Sequence, residues 1–263
     1  MLGAIIGDIV GSRFEFGPAP AKDFKLFTDD CRFTDDTVCT IAVADALLNE
    51  RDYTDALQDW CHRYPDVGYG PRFYDWLHQP NPLPNNSCGN GAAMRVSSVG
   101  WLLDDYEKVL REAKRSAEVS HCHHEGIKGA QCTAELIFWL RQTRFTKDDI
   151  PSRVKKYFGY DIPPLNDIVR IGGTGHFDSL CQETVPWAIR CFLDANDFEE
   201  TVRLAVMCDG DTDTKAAIAG SIAEAHYDIP ETIVEQALSY LPHDILSIID
   251  QFYEHMQHQM GVG

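Results

Sequence analysis

The stretch Cys208–Gly220, CDGDTDTKAAIAG, is the most restrictive part of this chain. Asp211 and Asp213 alternate with Thr212 and Thr214, and the chain then runs on as a small-residue helix with almost no side-chain bulk. Asp209, Asp211, Thr212, Asp213 and Thr214 put five hard oxygen-bearing side chains into six residues. Such groups are costly to bury unless something positive sits among them. A helix N-terminus uses Asp and Thr to satisfy free N–H groups and oppose the dipole, yet one cap needs only one or two of them. The surplus points to a cation, and Thr34-Asp35-Asp36-Thr37 repeats the chemistry far upstream.

The rest of the patterning is helical. Apolar periodicity and start signals predict helices over 2–10, 34–49, 54–63 (capped by Thr54), 92–103, 105–119, 126–141, 147–158, 184–195, 198–207, 213–227, 231–240 and 244–258. Alternating strand patterns are nearly absent and no fixed-period repeat is visible. The expected fold class is therefore all-α, a single compact multi-helix domain over residues 1–263. Long loops are expected at 65–91, rich in Pro, Gly and Asn, and at 159–182. Gly3, Gly7 and Gly11 recur every fourth residue, so they leave side-chain-free patches on one face where another helix or a ligand can come close.

Charge narrows the partners. With 23 basic against 41 acidic residues, the net charge of −18 argues against an extended nucleic-acid surface or an anionic membrane. A small anionic ligand stays open, because a bound divalent cation inverts the local field. The opening MLGAIIGDIVG lacks a basic flank and is interrupted by Asp8, unlike a secretory signal. No apolar run is long enough to span a bilayer. The nine cysteines include no CxxC pair, so reduced thiols in a cytoplasmic protein are expected.

Carboxylates and hydroxyls without Cys or clear His companions favour Mg²⁺ or Mn²⁺ over zinc. The two acid clusters together supply enough oxygens for a pair of ions sharing a bridging carboxylate. Ser87-Cys88-Gly89-Asn90-Gly91 leads small residues into a helix start, a way to present N–H groups to a phosphate; a Gly-rich turn with an N-cap is the alternative. Its context is neither Rossmann nor P-loop. Glu15 is a loop carboxylate available for acid/base work or a metal shell. His121, His123 and His124 lack a matching zinc pair, and a His lining a pocket at a helix start fits better. Cys88 reads as a pocket-wall thiol, and Gly172–His176 as either a ligand-contacting loop or a connection.

These residues together resemble the ADP-ribosylglycohydrolase family, over nearly the whole chain and in the same order. Gly7-Asp8 through Glu15 is similar to its G-D-x-x-G-x-x-x-E, Thr34–Thr37 to T-D-D-T, and Gly89–Arg95 to G-N-G-A-A-M-R. Ser120-His121 with Gly126–Ala130, and Gly210–Thr214 with Gly220, complete the match. The resemblance implies an all-α fold with two Mg²⁺ (or Mn²⁺) ions that hydrolyses the N- or O-glycosidic bond between ADP-ribose and an acceptor: a protein, a nucleic-acid base or a small molecule. It implies Thr34, Asp35, Asp36, Asp211, Asp213 and Thr214 as metal ligands and Glu15 as the catalytic carboxylate, with Asp35 or Asp36 positioning the attacking water. Ser87, Cys88, Gly89, Asn90 and Gly91 would embrace the pyrophosphate, and His121 would line the ADP-ribose pocket. Asp209 departs from the pattern, since the family usually has Gly there. A metal-dependent phosphohydrolase of a nucleotide pyrophosphate, and a non-catalytic ADP-ribose-binding or structural member of the fold, are the alternatives.

Overall fold

The computed structural model describes residues 1–142 and 145–259. Thr143, Arg144 and residues 260–263 of the expected domain lie outside them. In chain order the helices are α1 (Leu2–Gly11), α2 (Asp35–Leu48), α3 (Tyr53–Arg63), α4 (Pro71–Leu77), α5 (Gly91–Met94), α6 (Ser97–Leu102), α7 (Tyr106–Glu118) and α8 (His124–Leu140). A 3₁₀ turn, Lys147–Asp149, leads into α9 (Ile150–Phe158), followed by α10 (Leu165–Gly172), α11 (Cys181–Asp194), α12 (Phe198–Met207), α13 (Thr212–Glu224), α14 (Glu231–Leu238) and α15 (His243–Gln259). Among the described residues there is no strand, only an isolated antiparallel bridge between Gly89 and Leu180. The all-α expectation holds. Among the described residues no helix is long and apolar enough to cross a membrane.

The packing is built around α13, which is buried on every face from Thr212 to Ala223. Alanine favours the helix intrinsically, and short side chains let α1, α11 and α12 close on it from several sides. The approach of α1 is closest. A Cβ at Gly3 would overlap the Gly220 carbonyl, and one at Gly7 would overlap the Ala216 carbonyl. The four-residue glycine spacing thus serves a helix crossing, and Thr212 Oγ1 seals its end by donating to Gly11 O at 3.0 Å. One large apolar core runs from Met1 to Met256, and a smaller one lies among α2, α6, α7 and α8 around Val43, Val99, Val109 and Phe138.

Several local expectations change. The cap of α3 is Asp52, not Thr54: its Oδ1 accepts from Thr54 N at 2.8 Å, and the carboxylate also reaches Asp55 N. The 65–91 loop contains α4, because Pro71 at the first helical position starts a helix as readily as it breaks one. Phe73, Trp76 and Leu77 then bury its inner face. The expected helix over 92–103 is interrupted between α5 and α6, where Arg95 turns its side chain into the interior. The 159–182 loop contains α10, anchored by buried Ile168, and α11 begins at Cys181. The remaining ends agree to within about three residues, the usual uncertainty of helix boundaries.

Candidate active site

The N-termini of α2 and α13 meet on one wall of a cavity of about 880 Å³, lined there by Glu15, Asp35, Asp36, Asp211, Asp213 and Thr214. Carboxylate oxygens of Glu15, Asp211 and Asp213 lie within 4.8 Å of one another. Thr214 Oγ1 donates to Asp36 Oδ2 at 3.1 Å, so the two acidic motifs touch. Capping does not consume these acids. Thr34 caps α2 by accepting from Asp36 N at 3.3 Å, while its own hydroxyl donates to Asp8 Oδ1 at 2.7 Å, and it stays outside the cavity lining. Asp211 stands at the N-cap of α13 but makes no capping bond with its side chain. Instead its Oδ2 accepts from Asn90 Nδ2 at 2.8 Å.

Burial pushes the carboxyls of Asp35, Asp36 and Asp213 well above the usual range, and each is raised further by its acidic neighbours. Glu15 is pushed up to about 7, by burial first and then by Asp211. Asp36 Oδ1 is buried without a hydrogen-bond partner. Crowded, desolvated oxygens of this kind fit a hard divalent cation, which neutralises several carboxylates at once. Asp35, Asp36, Asp211, Asp213, Glu15 and Thr214 present oxygens that could hold one.

Ser87, Cys88, Gly89, Asn90, Gly91 and His121 line the same cavity. The loop is stitched to the segment before α11 by Asn90 N donating to Ser179 O and Cys181 N donating to Cys88 O, both at 3.0 Å. The N–H of Gly89 is used locally on Ser87 Oγ at 3.2 Å. Among the described residues the N–H groups of Cys88 and Gly91 have no acceptor, so they are available to an anion. The Asn90 amide is committed to Asp211 and, at 3.1 Å, to Thr184 Oγ1. His121 lies before the helix start; His123 caps α8 by accepting from Glu125 N at 3.1 Å. The His121 ring is buried, and desolvation, helped by Arg95, pushes its pKa down to about 3, so it is neutral. His123 and His124 are not among the lining residues; nor is Gly172–His176, whereas Phe177, Ser179 and Leu180 just beyond are.

Three supporting residues are given no role by the sequence reading. Asp8 is fully buried on α1 and accepts from Thr34 N at 2.9 Å and Thr37 N at 3.0 Å, and from both threonine hydroxyls. It fixes the start of α2 against α1. Lys215 and Asp178 form a fully buried pair at 2.9 Å. Lys215 Nζ also donates to Asp209 O at 2.6 Å, and Asp178 Oδ1 accepts from Asp211 N at 3.0 Å, which orients the acidic turn. The sequence signals were a lone acid in an apolar helix and a lone lysine in a small-residue one. Asp209 has φ of 61° and Gly210 φ of 74°, so its departure from glycine falls on a left-handed backbone position, which Asp tolerates better than most residues. The Asp209 side chain turns onto Gly210 N at 2.9 Å and is not among the cavity-lining residues.

Lys215→Met is expected to destabilise the fold by about 3–5 kcal/mol, because it strands the Asp178 charge in the interior. Urea unfolding measures this, and a loss below about 1 kcal/mol would show that the pair is dispensable.

Known proteins place this architecture. The profile of the ADP-ribosylglycohydrolase family matches residues 1–261. The ADP-ribosylhydrolase ARH3 of Mus musculus is 24% identical, with 94% of this chain and 88% of the mouse protein aligned. That of Homo sapiens is 25% identical over 94% and 90%. The ADP-ribosylarginine hydrolase Tri1 of Pseudomonas putida is 23% identical over 91% of this chain and 73% of its own. A solved structure described as an ADP-ribosylglycohydrolase-related protein complex superposes with a TM-score of 0.72 over 97% of this chain and 95% of its own, at 24% identity, and shares the fold. With a family match spanning nearly its full length, the chain belongs to the ADP-ribosylglycohydrolase family.

Proposed function

We propose that this protein hydrolyses the glycosidic bond between ADP-ribose and an acceptor, acting as one catalytic unit over residues 1–263. One observation carries the reading: the cavity has an acidic wall built from α2, α13 and Glu15, and it is also lined by the Ser87–Gly91 loop with free N–H groups. A ligand with a ribose at one end and a pyrophosphate beside it needs both. The relatives named for ADP-ribosylhydrolase activity support the same substrate class.

Asp35, Asp36, Asp211, Asp213 and Thr214 would hold two Mg²⁺ or Mn²⁺ ions; Thr34, expected among the ligands, instead supports the start of α2, because its hydroxyl is committed to Asp8 outside the cavity lining. The ions would supply fixed positive charge at the ribose hydroxyls. Glycosidic cleavage develops oxocarbenium character, which an anionic wall stabilises. Glu15, half-buried at that wall, gives or takes the proton at the scissile oxygen or nitrogen or at the attacking water. Asp35 or Asp36 orients that water. The Cys88 and Gly91 N–H groups would receive the pyrophosphate, and neutral His121 lines the same pocket. Asn90 acts indirectly, by holding Asp211.

The test is product identification by mass spectrometry from a panel of ADP-ribosylated acceptors, with Asp211→Ala as control. Free ADP-ribose, lost in the control, supports the reading. AMP with ribose phosphate would instead indicate a phosphohydrolase, and binding without turnover a non-catalytic member of the fold.

A further inference from the structure

We propose that Arg95 and Ser120 are positioning residues that lock His121 in its neutral Nε2–H form, so that the ring donates a hydrogen bond into the cavity beside Gly89 and Gly91. The identity of the ligand oxygen receiving it, on the pyrophosphate of ADP-ribose, rests on the function proposed above; the lock itself does not.

Arg95 sits at the break between α5 and α6, 1% exposed, with no carboxylate within ion-pair distance among the described residues. Its Nη2 donates to Ser116 O at 2.6 Å and to Ser120 Oγ at 2.9 Å. A guanidinium has donors only, so Ser120 Oγ must be the acceptor in that contact. Ser120 is fully buried, and among the described residues the one other hydrogen-bond partner of its hydroxyl is His121 Nδ1 at 2.9 Å. The single hydroxyl hydrogen therefore points at Nδ1, which must be bare. A neutral imidazole with a bare Nδ1 carries its hydrogen on Nε2. In the opposite arrangement, with Nδ1–H donating to Oγ, the serine hydrogen would be buried without an acceptor, an arrangement folded proteins avoid.

The geometry around Nε2 completes the case. It has no hydrogen-bond partner among the described residues, and the ring lines the cavity. A Cβ on Gly91 would stand 3.1 Å from Nε2 and one on Gly89 3.6 Å from it, so the two glycines leave open the space into which the N–H projects. The Phe73 ring covers both ends of the chain of groups, 5.7 Å from the Arg95 guanidinium and 6.3 Å from the His121 ring. Shielded in this way, the Arg95 charge polarises the serine hydroxyl and the imidazole in series, which strengthens the terminal donor.

Long-range ¹H–¹⁵N spectra of histidine-labelled protein, recorded without ligand, decide the tautomer. The wild type is expected to show His121 with Nε2 protonated and Nδ1 bare, Ser120→Ala a mixture of tautomers, and Ser120→Thr the wild-type pattern. Calorimetric titration with ADP-ribose is expected to show about 5–10-fold weaker binding for Ser120→Ala, the loss of one oriented hydrogen bond, and recovery in Ser120→Thr. Protonation of Nδ1 in the wild type, or an unchanged tautomer in a folded Ser120→Ala, would overturn the lock. The expected tautomer in a protein that does not bind ADP-ribose would uphold the lock and defeat the functional reading instead.

Discussion

Glu15→Gln is expected to lower turnover of an ADP-ribosylated substrate by about 10²–10⁴-fold, the span attributable to one positioned acid/base group. The melting temperature should not fall. Gln keeps the volume and removes a charge that burial and Asp211 already oppose. Its carboxylate lies within 4.8 Å of oxygens of Asp211 and Asp213, so the substitution relieves repulsion in the cation-free protein. Initial rates and thermal melts in the same buffer separate the possibilities. Full turnover would remove Glu15 from the chemistry, and a parallel loss of activity and melting temperature would make it structural.

The second large effect is on stability. Gly7→Val is expected to cost about 3 kcal/mol or more, at the upper end for overpacking, because the added carbon meets main chain and not a movable side chain. The atoms in its way are the Ala216 carbonyl and Ala217 N on α13. The damage should reach the cavity as well. Asp8, next along α1, holds Thr34 and Thr37 at the start of α2, and Thr212 at the start of α13 is tied to Gly11. Parting the two helices separates the two acidic motifs. Urea unfolding measures the loss, with Gly17→Ala as control: nothing lies within 3.8 Å of a Cβ there, and its change should stay within about 0.5 kcal/mol. Equal effects at both positions would refute the close crossing.

What could be read from the residues follows the range of the interactions. Helices announced themselves through local periodicity, and the acid surplus at 34–37 and 209–214 was visible because its excess over capping needs is a local count. Two helices were hidden by proline: Pro71 and Pro164 signal loops in sequence, but they sit at the first turn of α4 and the N-cap of α10. The supports of the site were hidden for a different reason. Asp8 acts across 26 residues on Thr34, Asp178 across 37 on Lys215, and Asn90 across 121 on Asp211. No periodicity encodes such pairings. Asn90 shows the limit clearly: its neighbours in sequence suggest a phosphate contact, and its side chain instead holds a carboxylate.

The central claim is that the acidic wall and the Ser87–Gly91 loop form one site for a cation-associated ADP-ribose. Calorimetric titration of ADP-ribose into the protein in Mg²⁺ and again in EDTA tests it most directly. The account predicts roughly tenfold or greater tightening with Mg²⁺, a coupling that must be reciprocal, and its disappearance in Asp211→Asn. Equal affinity in Mg²⁺ and EDTA, with Asp211→Asn binding like the wild type, would contradict it.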